Sequence, residues 1–380
     1  MKDNISILAI SDVHIGCARL NPHLLHQKFI KYVYPQITPD IDLFFVCGDF
    51  FDTRLDLNAF AAFESIEIIQ ELRDICKQNG VDLRILRGTF THDRNQPRHF
   101  VNGIDENDQS VRLFEKMEVE LHEKTGLRIL YMPDNLVSDD LYEDIRQLLS
   151  AHNLDSVDIL IHHGYFKHML PEIFMKKGLP KDCLEIEKIE KYVKGCTLNG
   201  HVHVSSIYKN VISIGSFDRL AHGEEGPKGF YKIDISKGVY TFTFIENEDA
   251  TPFLTFDLQN YDAEGALHAF TERWLGLVDS FLQTPEQNVR VRILSQDKAV
   301  IEGCAQIAKS KFKNVVVDQV AVVKHENTID NVAMNLDDLP QIVPSNLVDL
   351  LMPILKKHNP NVDRQVVDEI ISTVKMENKV

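Results

Sequence analysis

Three apolar, β-rich runs of this chain end in aspartate or histidine and a G-H-x-H stretch supplies a fourth such site, and no other feature limits its fold so strongly. Asp12 and His14 leave the run Ile5–Ser11, and Asp49 follows Leu43–Cys47 through Gly48. His162 and His163 close the run that starts at Val157, and His201 and His203 follow Asn199-Gly200. Open α/β sheets gather their ligands beyond strand ends. One Asp-x-His triplet arises by chance, a lone Gly-Asp is more often a turn with a helix cap, and a lone histidine is usually packed or solvated. Four such sites in one chain point to a shared crevice.

The first two thirds of the chain alternate such runs with helix-period segments, which predicts an α/β domain with helix-covered strands. Strands are expected at Ile5–Ser11, Leu43–Cys47, Leu83–Leu86, Ile129–Met132, Val157–Ile161, Val211–Ile214, Gly229–Ile235 and Val239–Ile245. A helix is expected from Asn58 to Gln78, with Phe60, Phe63, Ile66, Ile69, Leu72 and Ile75 as its packing stripe and Asn58 as N-cap. The pattern changes at Thr251-Pro252, after which strands at Phe253–Phe256, Val289–Leu294 and Val315–Val323 alternate with helices at Ala263–Leu282 and Ala299–Lys309. Pro340 and Pro344 then introduce two helical stretches, Leu347–Lys357 and Gln365–Met376. The expected division is 1–250, a smaller unit at 251–330 and a helical segment at 331–380.

Composition narrows the class. Among 380 residues, 44% are hydrophobic and 26% charged, as in globular proteins, and no apolar run is long enough to span a bilayer. The N-terminal segment lacks a signal-peptide pattern, and the six cysteines are scattered without a C-x-x-C pair, which fits a reducing cytoplasm. A net charge of -16 argues against indiscriminate nucleic-acid binding, so a DNA role would need a local basic surface or a partner.

Mixed imidazole and carboxylate ligands suit Mn, Fe or Zn better than Ca or Mg. Such a set fits phosphate-ester hydrolysis, which two cations about 3.5–4 Å apart promote. Two cations need a shared carboxylate, and Asp49, midway along the motif series, is the candidate.

Taken together, D-x-H, G-D-x-x-D, an internal His-Asp loop, the strand-end histidine and G-H-x-H resemble the calcineurin-like metallophosphoesterase superfamily. The stretch Ile214-Gly215-Ser216-Phe217-Asp218-Arg219, then His222-Gly223-Glu224-Glu225 and Lys228-Gly229-Phe230, is similar to the SbcD-type nucleases of double-strand-break repair. The resemblance implies two mixed β-sheets packed face to face between helices, followed by a small α/β capping domain. It implies one metal on Asp12, His14, Asp49 and His203, and another on Asp49, His162 and His201, with Asp52 behind them. His162 is taken over its neighbour His163 because Ile161-His162 continues the family's strand-end pattern. The family loop reads Gly-Asn-His-Asp or Gly-Asn-His-Glu, whereas this chain has Arg87-Gly88-Thr89-Phe90-Thr91-His92-Asp93. Counting back from His92, the expected catalytic histidine, puts Thr91 in the Asn slot, with Asp93 or water as other ways to complete the second site. This loop is more like those of members encoded by large bacterial viruses, which would place the protein in a host cytoplasm.

The implied activity is Mn-dependent hydrolysis of DNA phosphodiesters, with Mg, Fe or Zn as other candidate metals, and Arg54, Arg94, Arg219 and Lys228 as candidate substrate contacts. The implied partners are DNA, an SMC-like ATPase of the SbcC type docked on the C-terminal helices, and a second copy of the chain; no membrane is expected. A phosphatase or cyclic-nucleotide phosphodiesterase on the same scaffold is the alternative, and a non-catalytic scaffold subunit is the third reading.

Overall fold

The computed structural model describes residues 2–55, 60–105, 108–134, 140–170, 183–281, 289–311 and 314–321. The expected helices Leu347–Lys357 and Gln365–Met376, and the segment 331–380 that carries them, lie outside these residues, as does the expected cap Asn58.

Fifteen strands form three sheets among the described residues. The first joins β1 (Asn4–Ile10), β2 (Leu43–Cys47), β3 (Asp82–Leu86), β4 (Val111–Phe114), β11 (Gly229–Ser236) and β12 (Val239–Glu246) in the order β12-β11-β1-β2-β3-β4. The second comprises β5 (Glu118–Leu121), β6 (Arg128–Met132), β7 (Val157–His163), β8 (Val193–Gly200), β9 (Ser206–Tyr208) and β10 (Val211–Ser213) in the order β5-β6-β7-β8-β10-β9. Both are mixed, with parallel strands at their centres. Leu43–Cys47 is buried at every position because a parallel strand flanked by layers on both faces needs apolar side chains throughout.

Three apolar layers hold these sheets. Helices α1 (Pro22–Lys28) and α2 (Phe60–Asn79) cover the outer face of the first sheet. Leu43, Phe45, Ile129, Tyr131, Ile159, Ile161 and Ile233 fill the space between the sheets. The one-turn helix α3 (Phe90–Asp93) follows β3, and α4 (Leu141–Ala151) with the short α5 (Ile186–Ile189) covers the second sheet's outer face. The result is the helix–sheet–sheet–helix arrangement expected above. A third, all-parallel sheet, β13 (Phe253–Asp257), β14 (Val289–Ser295) and β15 (Val315–Ala321), packs with α6 (Ala263–Phe281) and α7 (Lys298–Lys311) around Trp274.

The apolar stripe expected on α2 is partly misplaced. A three-residue step falls short of a full turn, so a stripe drawn at that step winds around the helix. Ile68, Ile69, Leu72 and Cys76 form the buried face, whereas Phe63 is 63% exposed. Helices α1 and α4 and strands β4, β5, β8 and β9 were not anticipated. In β8, Val193-Lys194-Gly195-Cys196-Thr197-Leu198-Asn199-Gly200, glycines and polar residues hide a central strand from any reading of apolar runs.

A buried ion pair ties the outer helix to the loop preceding the third sheet. Lys28 Nζ, on α1, donates to Asp218 Oδ2 at 2.5 Å and to Thr251 Oγ1 at 3.1 Å, and Asp218 Oδ1 also accepts the Thr251 and Arg219 amides. Removing one partner of a buried pair strands the other, at about 3–5 kcal/mol. Lys28→Met is therefore expected to destabilise the chain by about that amount in urea unfolding, and Lys28→Met with Asp218→Asn by clearly less.

Candidate metal centre

Strands β1 and β2 run parallel and stop together, and the loops beyond them are zipped by backbone hydrogen bonds. Asp12 N–H donates to Gly48 O (3.1 Å), His14 N–H to Asp49 O (3.1 Å) and Ile15 N–H to Phe50 O (2.9 Å). This pairing sets Asp12, His14 and Asp49 on one rim. From the second sheet, β7 ends in His163 and β8 leads into His201, whose amide donates to Asp12 Oδ2 at 3.0 Å. Glycine is required at Gly48, where φ is 94° and a Cβ would stand 2.2 Å from His163 Nδ1.

The geometry is strained where the ligand candidates sit. Eight described non-glycine residues have positive φ, and Asp12 (50°), His14 (52°), Asp49 (47°) and His201 (79°) are four of them. Each such conformation costs about 1–3 kcal/mol and persists where surrounding structure enforces it, often at functional sites.

Three groups of ligand-type atoms result: Asp12, His14 and His203; Asp49, His163 and His201; and His14, Asp52 and His92, the last tied together by the Asp52 contact to His14 Nδ1. Asp49 lies between the first two, with Oδ2 3.9 Å from His14 Nε2 and 3.2 Å from His163 Nε2. Three imidazoles are held by Nδ1 so that Nε2 faces a carboxylate. His14 Nδ1 meets Asp52 Oδ1 at 3.0 Å, His163 Nδ1 donates to Cys47 O at 2.8 Å, and His203 Nδ1 meets Glu224 Oε1 at 3.0 Å. Outer partners that fix tautomer and orientation in this way accompany metal-bound histidines.

The residues fit divalent cations. His14 Nε2 and His163 Nε2 are buried without a hydrogen-bond partner. Gaps of 3.9 Å from His14 Nε2 to Asp12 Oδ1 and 3.7 Å from His203 Nε2 to the same oxygen are too long for hydrogen bonds. They suit a cation at about 2.0–2.2 Å from nitrogen and oxygen. Burial opposes a charge on His163, but the Asp49 carboxylate overrides it and pushes the imidazole up to about 10. Burial likewise opposes the Asp49 anion, and His163 followed by His14 still holds it well below the carboxylate range.

Three expectations are corrected by placement. His162 does not join the cluster: alternation along β7 sends it to the outer face with Leu160, where Nδ1 meets Asn199 Oδ1 at 2.6 Å and the ring packs on Phe166. Burial pushes its pKa down to about 3. His163 shares the inner face with Ile159 and Ile161 and reaches Asp49. Thr91 is exposed on α3, away from the cluster, whereas Thr89 donates its amide to Asp49 Oδ1 (2.6 Å) and places Oγ1 3.4 Å from His201 Nδ1. The residues between Gly88 and His92 form a helical turn, with His92 N–H donating to Thr89 O at 3.0 Å, so Thr89 rather than the Thr91 reached by counting back from His92 faces Asp49 and His201. Asp93 is fully buried and accepts Phe51 N–H (3.0 Å) and Gly88 N–H (2.7 Å), bracing the loop; burial, then Asp49, raises its pKa to about 6.

The third correction concerns cations. Lys228 Nζ donates to His203 O, Ser216 Oγ and Glu224 Oε2 at 2.8–2.9 Å and is 2% exposed. Arg219 donates to Ala250 O at 2.8 Å and Gly226 O at 3.3 Å. Both are engaged within the protein, unlike Arg54 and Arg94, which are exposed. Their two loops are joined by Gln96, which accepts Leu55 N–H (2.8 Å) and donates to Thr53 O (3.0 Å). His92 stands beside them, its Nδ1 donating to Asp52 O at 2.9 Å and its ring 5.0 Å from His14.

Fold and site together define a layered α/β protein with a candidate two-cation centre at the carboxyl ends of its strands. No family model matches the chain. It is similar to a protein of invertebrate iridescent virus 6 named "Putative phosphoesterase 244L", with 24% identity over 325 residues that cover 83% of this chain and 100% of the viral protein. Among solved structures, a Vps29 single mutant from Entamoeba histolytica aligns over 64% of this chain and 99% of its own, with 13% identity and a TM-score of 0.26. A second solved chain aligns to the same extent with 14% identity and a TM-score of 0.37.

Glu224 is the functional candidate that strand-end reasoning missed, although its i,i+4 spacing to Lys228 was visible in the sequence. Glu224→Ala is expected to weaken cation binding by the Asp12–His14–His203 group about 10–100-fold, and Glu224→Gln less, by calorimetric titration with Mn. Burial opposes ionisation of Glu224, but His203 and Lys228 hold its carboxyl at about 2. In the metal-free chain, its stabilisation relative to Glu224→Gln should be full above about pH 4.5 and vanish as pH falls to about 2, as read by chemical denaturation.

Proposed function

We propose that this chain is a metal-dependent phosphoester hydrolase whose substrate is the phosphodiester backbone of DNA. The observation that carries the hydrolase reading is a pair of buried nitrogens that make no hydrogen bond, His14 Nε2 at 3.9 Å from Asp12 and His163 Nε2 at 3.2 Å from Asp49. The printed name of the viral relative supports the same reaction class. DNA is favoured by the resemblance of Ser216–Phe230 to SbcD-type nucleases and by the presence of the third sheet after the centre.

In this reading Asp12, His14, Asp49 and His203 hold one cation, Asp49, His163 and His201 hold the other, and Thr89 stands beside the second. Bound cations would supply a water-derived nucleophile at neutral pH and neutralise phosphoryl charge. Asp52 and Glu224 orient His14 and His203. His92, half-exposed and with Nδ1 engaged by Asp52 O, turns Nε2 toward substrate and, as imidazolium, donates a proton to the departing oxygen. Arg54 and Arg94 contact phosphates along the rim. A chain of net charge -16 gains a cationic surface more readily with help, and we propose that an SMC-like ATPase supplies it through residues 331–380 and that the chain works as a homodimer.

Assay of the purified chain with Mn on linear duplex DNA, a generic phosphodiester and a phosphomonoester tests the substrate. Hydrolysis of DNA that falls with rising salt is expected; preference for the monoester would overturn the nuclease reading and favour a phosphatase. His92→Ala should lower the rate about 10²–10⁴-fold with both cations retained. Asp49→Asn should lose both, and two equivalents still present by elemental analysis would refute the shared carboxylate.

A further inference from the structure

We infer that helices α1 and α2 carry a separate cation site, built from His23, His26, Glu64 and Glu67 and suited to a zinc-type divalent ion. The centre described above comes from strand ends, whereas these ligands come from two facing helices. His23 and His26 lie one turn apart on α1, and Glu64, Glu67 and Glu71 lie on successive turns of α2.

The ligand atoms of His26, Glu64 and Glu67 lie within 4.8 Å of one another. His26 Nδ1 is 2.9 Å from Glu64 Oε2 and 3.7 Å from Glu67 Oε2, and His23 Nδ1 is 3.0 Å from Glu64 Oε1. On its far side, His26 Nε2 meets Glu71 Oε2 at 2.7 Å. Both His26 nitrogens stand at hydrogen-bond distance from a carboxylate; with Nε2–H donated to Glu71, a cation would take the place of the Nδ1 proton between His26, Glu64 and Glu67, the carboxylate–histidine arrangement that orients a metal-bound imidazole. Glu71 is thus the orienting residue, and the other four are the ligands.

Burial and charge favour a cation. His26 and Glu64 are each 7% exposed, so neither is an ordinary surface group. Among the described residues, the three glutamates have ion pairs with His23 and His26 and with no lysine or arginine. Three carboxylates against two imidazoles leave the cluster negative whichever way the histidines are protonated. Two imidazoles with carboxylates match zinc and its neighbours in the first transition row. Such an ion would fasten α1 to α2 over the first sheet.

The site is tested on the full-length chain carrying Asp49→Asn, which removes the strand-end centre, stripped with EDTA and titrated with Zn or Co. One equivalent is expected to bind, with Co giving the visible absorption of a nitrogen- and oxygen-ligated ion and the unfolding midpoint rising with metal concentration. Adding Glu67→Gln leaves the contacts of Glu64 and Glu71 with His26 intact and should weaken binding at least tenfold; adding His26→Gln should abolish it. If no equivalent binds, or if Glu67→Gln is without effect and the midpoint follows pH alone, the cluster is an imidazolium ion-pair network and the proposal fails. Retention of cations by the Asp49→Asn chain that His26→Gln does not remove would count against the strand-end assignments instead.

Discussion

The Asp49 carboxylate is the point on which the rest of the site depends. It is buried, it faces imidazoles from both sheets, and it stands on a left-handed backbone that only its surroundings can enforce. Placing Asp49 near Asp12 and Asp93 concentrates negative charge where burial already penalises it. The protein offsets this with amides, from Thr89 to Asp49, from His201 to Asp12 and from Phe51 and Gly88 to Asp93. Those hydrogen bonds steady the carboxylates while His14 Nε2 faces Asp12 and Asp49 at 3.9 Å, too far for a hydrogen bond, and His163 Nε2 faces Asp49 at 3.2 Å.

The two sheets explain why the crevice sits where it does. Parallel strands β1, β2 and β3 deliver their C-terminal loops to one edge of the first sheet, and β7 and β8 deliver theirs to the facing edge of the second. The apolar filling between them brings the edges together, so that Cys47 O of one sheet receives His163 Nδ1–H of the other. Core packing and site assembly are one event here: Ile159 and Ile161 hold the inner face that His163 continues toward Asp49. A change in the register of β7 would exchange His163 for His162 and turn the cluster's nitrogen away.

Much of this was legible. The strand ends bearing Asp12, His14 and Asp49 were evident because chemistry-bearing residues interrupt apolar runs, and His201 and His203 were evident from their G-H-x-H spacing although the strand before them was not. His163 was legible in principle, since it lies two and four residues beyond Ile161 and Ile159, but the family pattern favoured its neighbour. Thr89 was hidden because spacing along a chain does not disclose that the residues between Gly88 and His92 coil into a turn, which brings Thr89 rather than Thr91 to Asp49. Strand β8 and helix α1 escaped because their burial depends on neighbours from distant parts of the sequence rather than on local apolar periodicity.

Cations gave the least reliable reading, and the reason bears on recognition. A lysine or arginine near a motif has the same appearance in sequence whether it meets a phosphate or a buried carbonyl. Lys228 and Arg219 are used inside, holding Glu224, His203 O, Ala250 O and Gly226 O, so their charge helps shape the centre instead of lining its approach. Arg54 and Arg94 remain as the exposed pair beside His92. In the reading proposed above, a chain of net charge -16 would attract a polyanion through cations bound at the centre, these two arginines and a partner surface. In that reading metal loading and substrate affinity would be coupled, because each divalent ion gained changes the local field that an incoming phosphate meets.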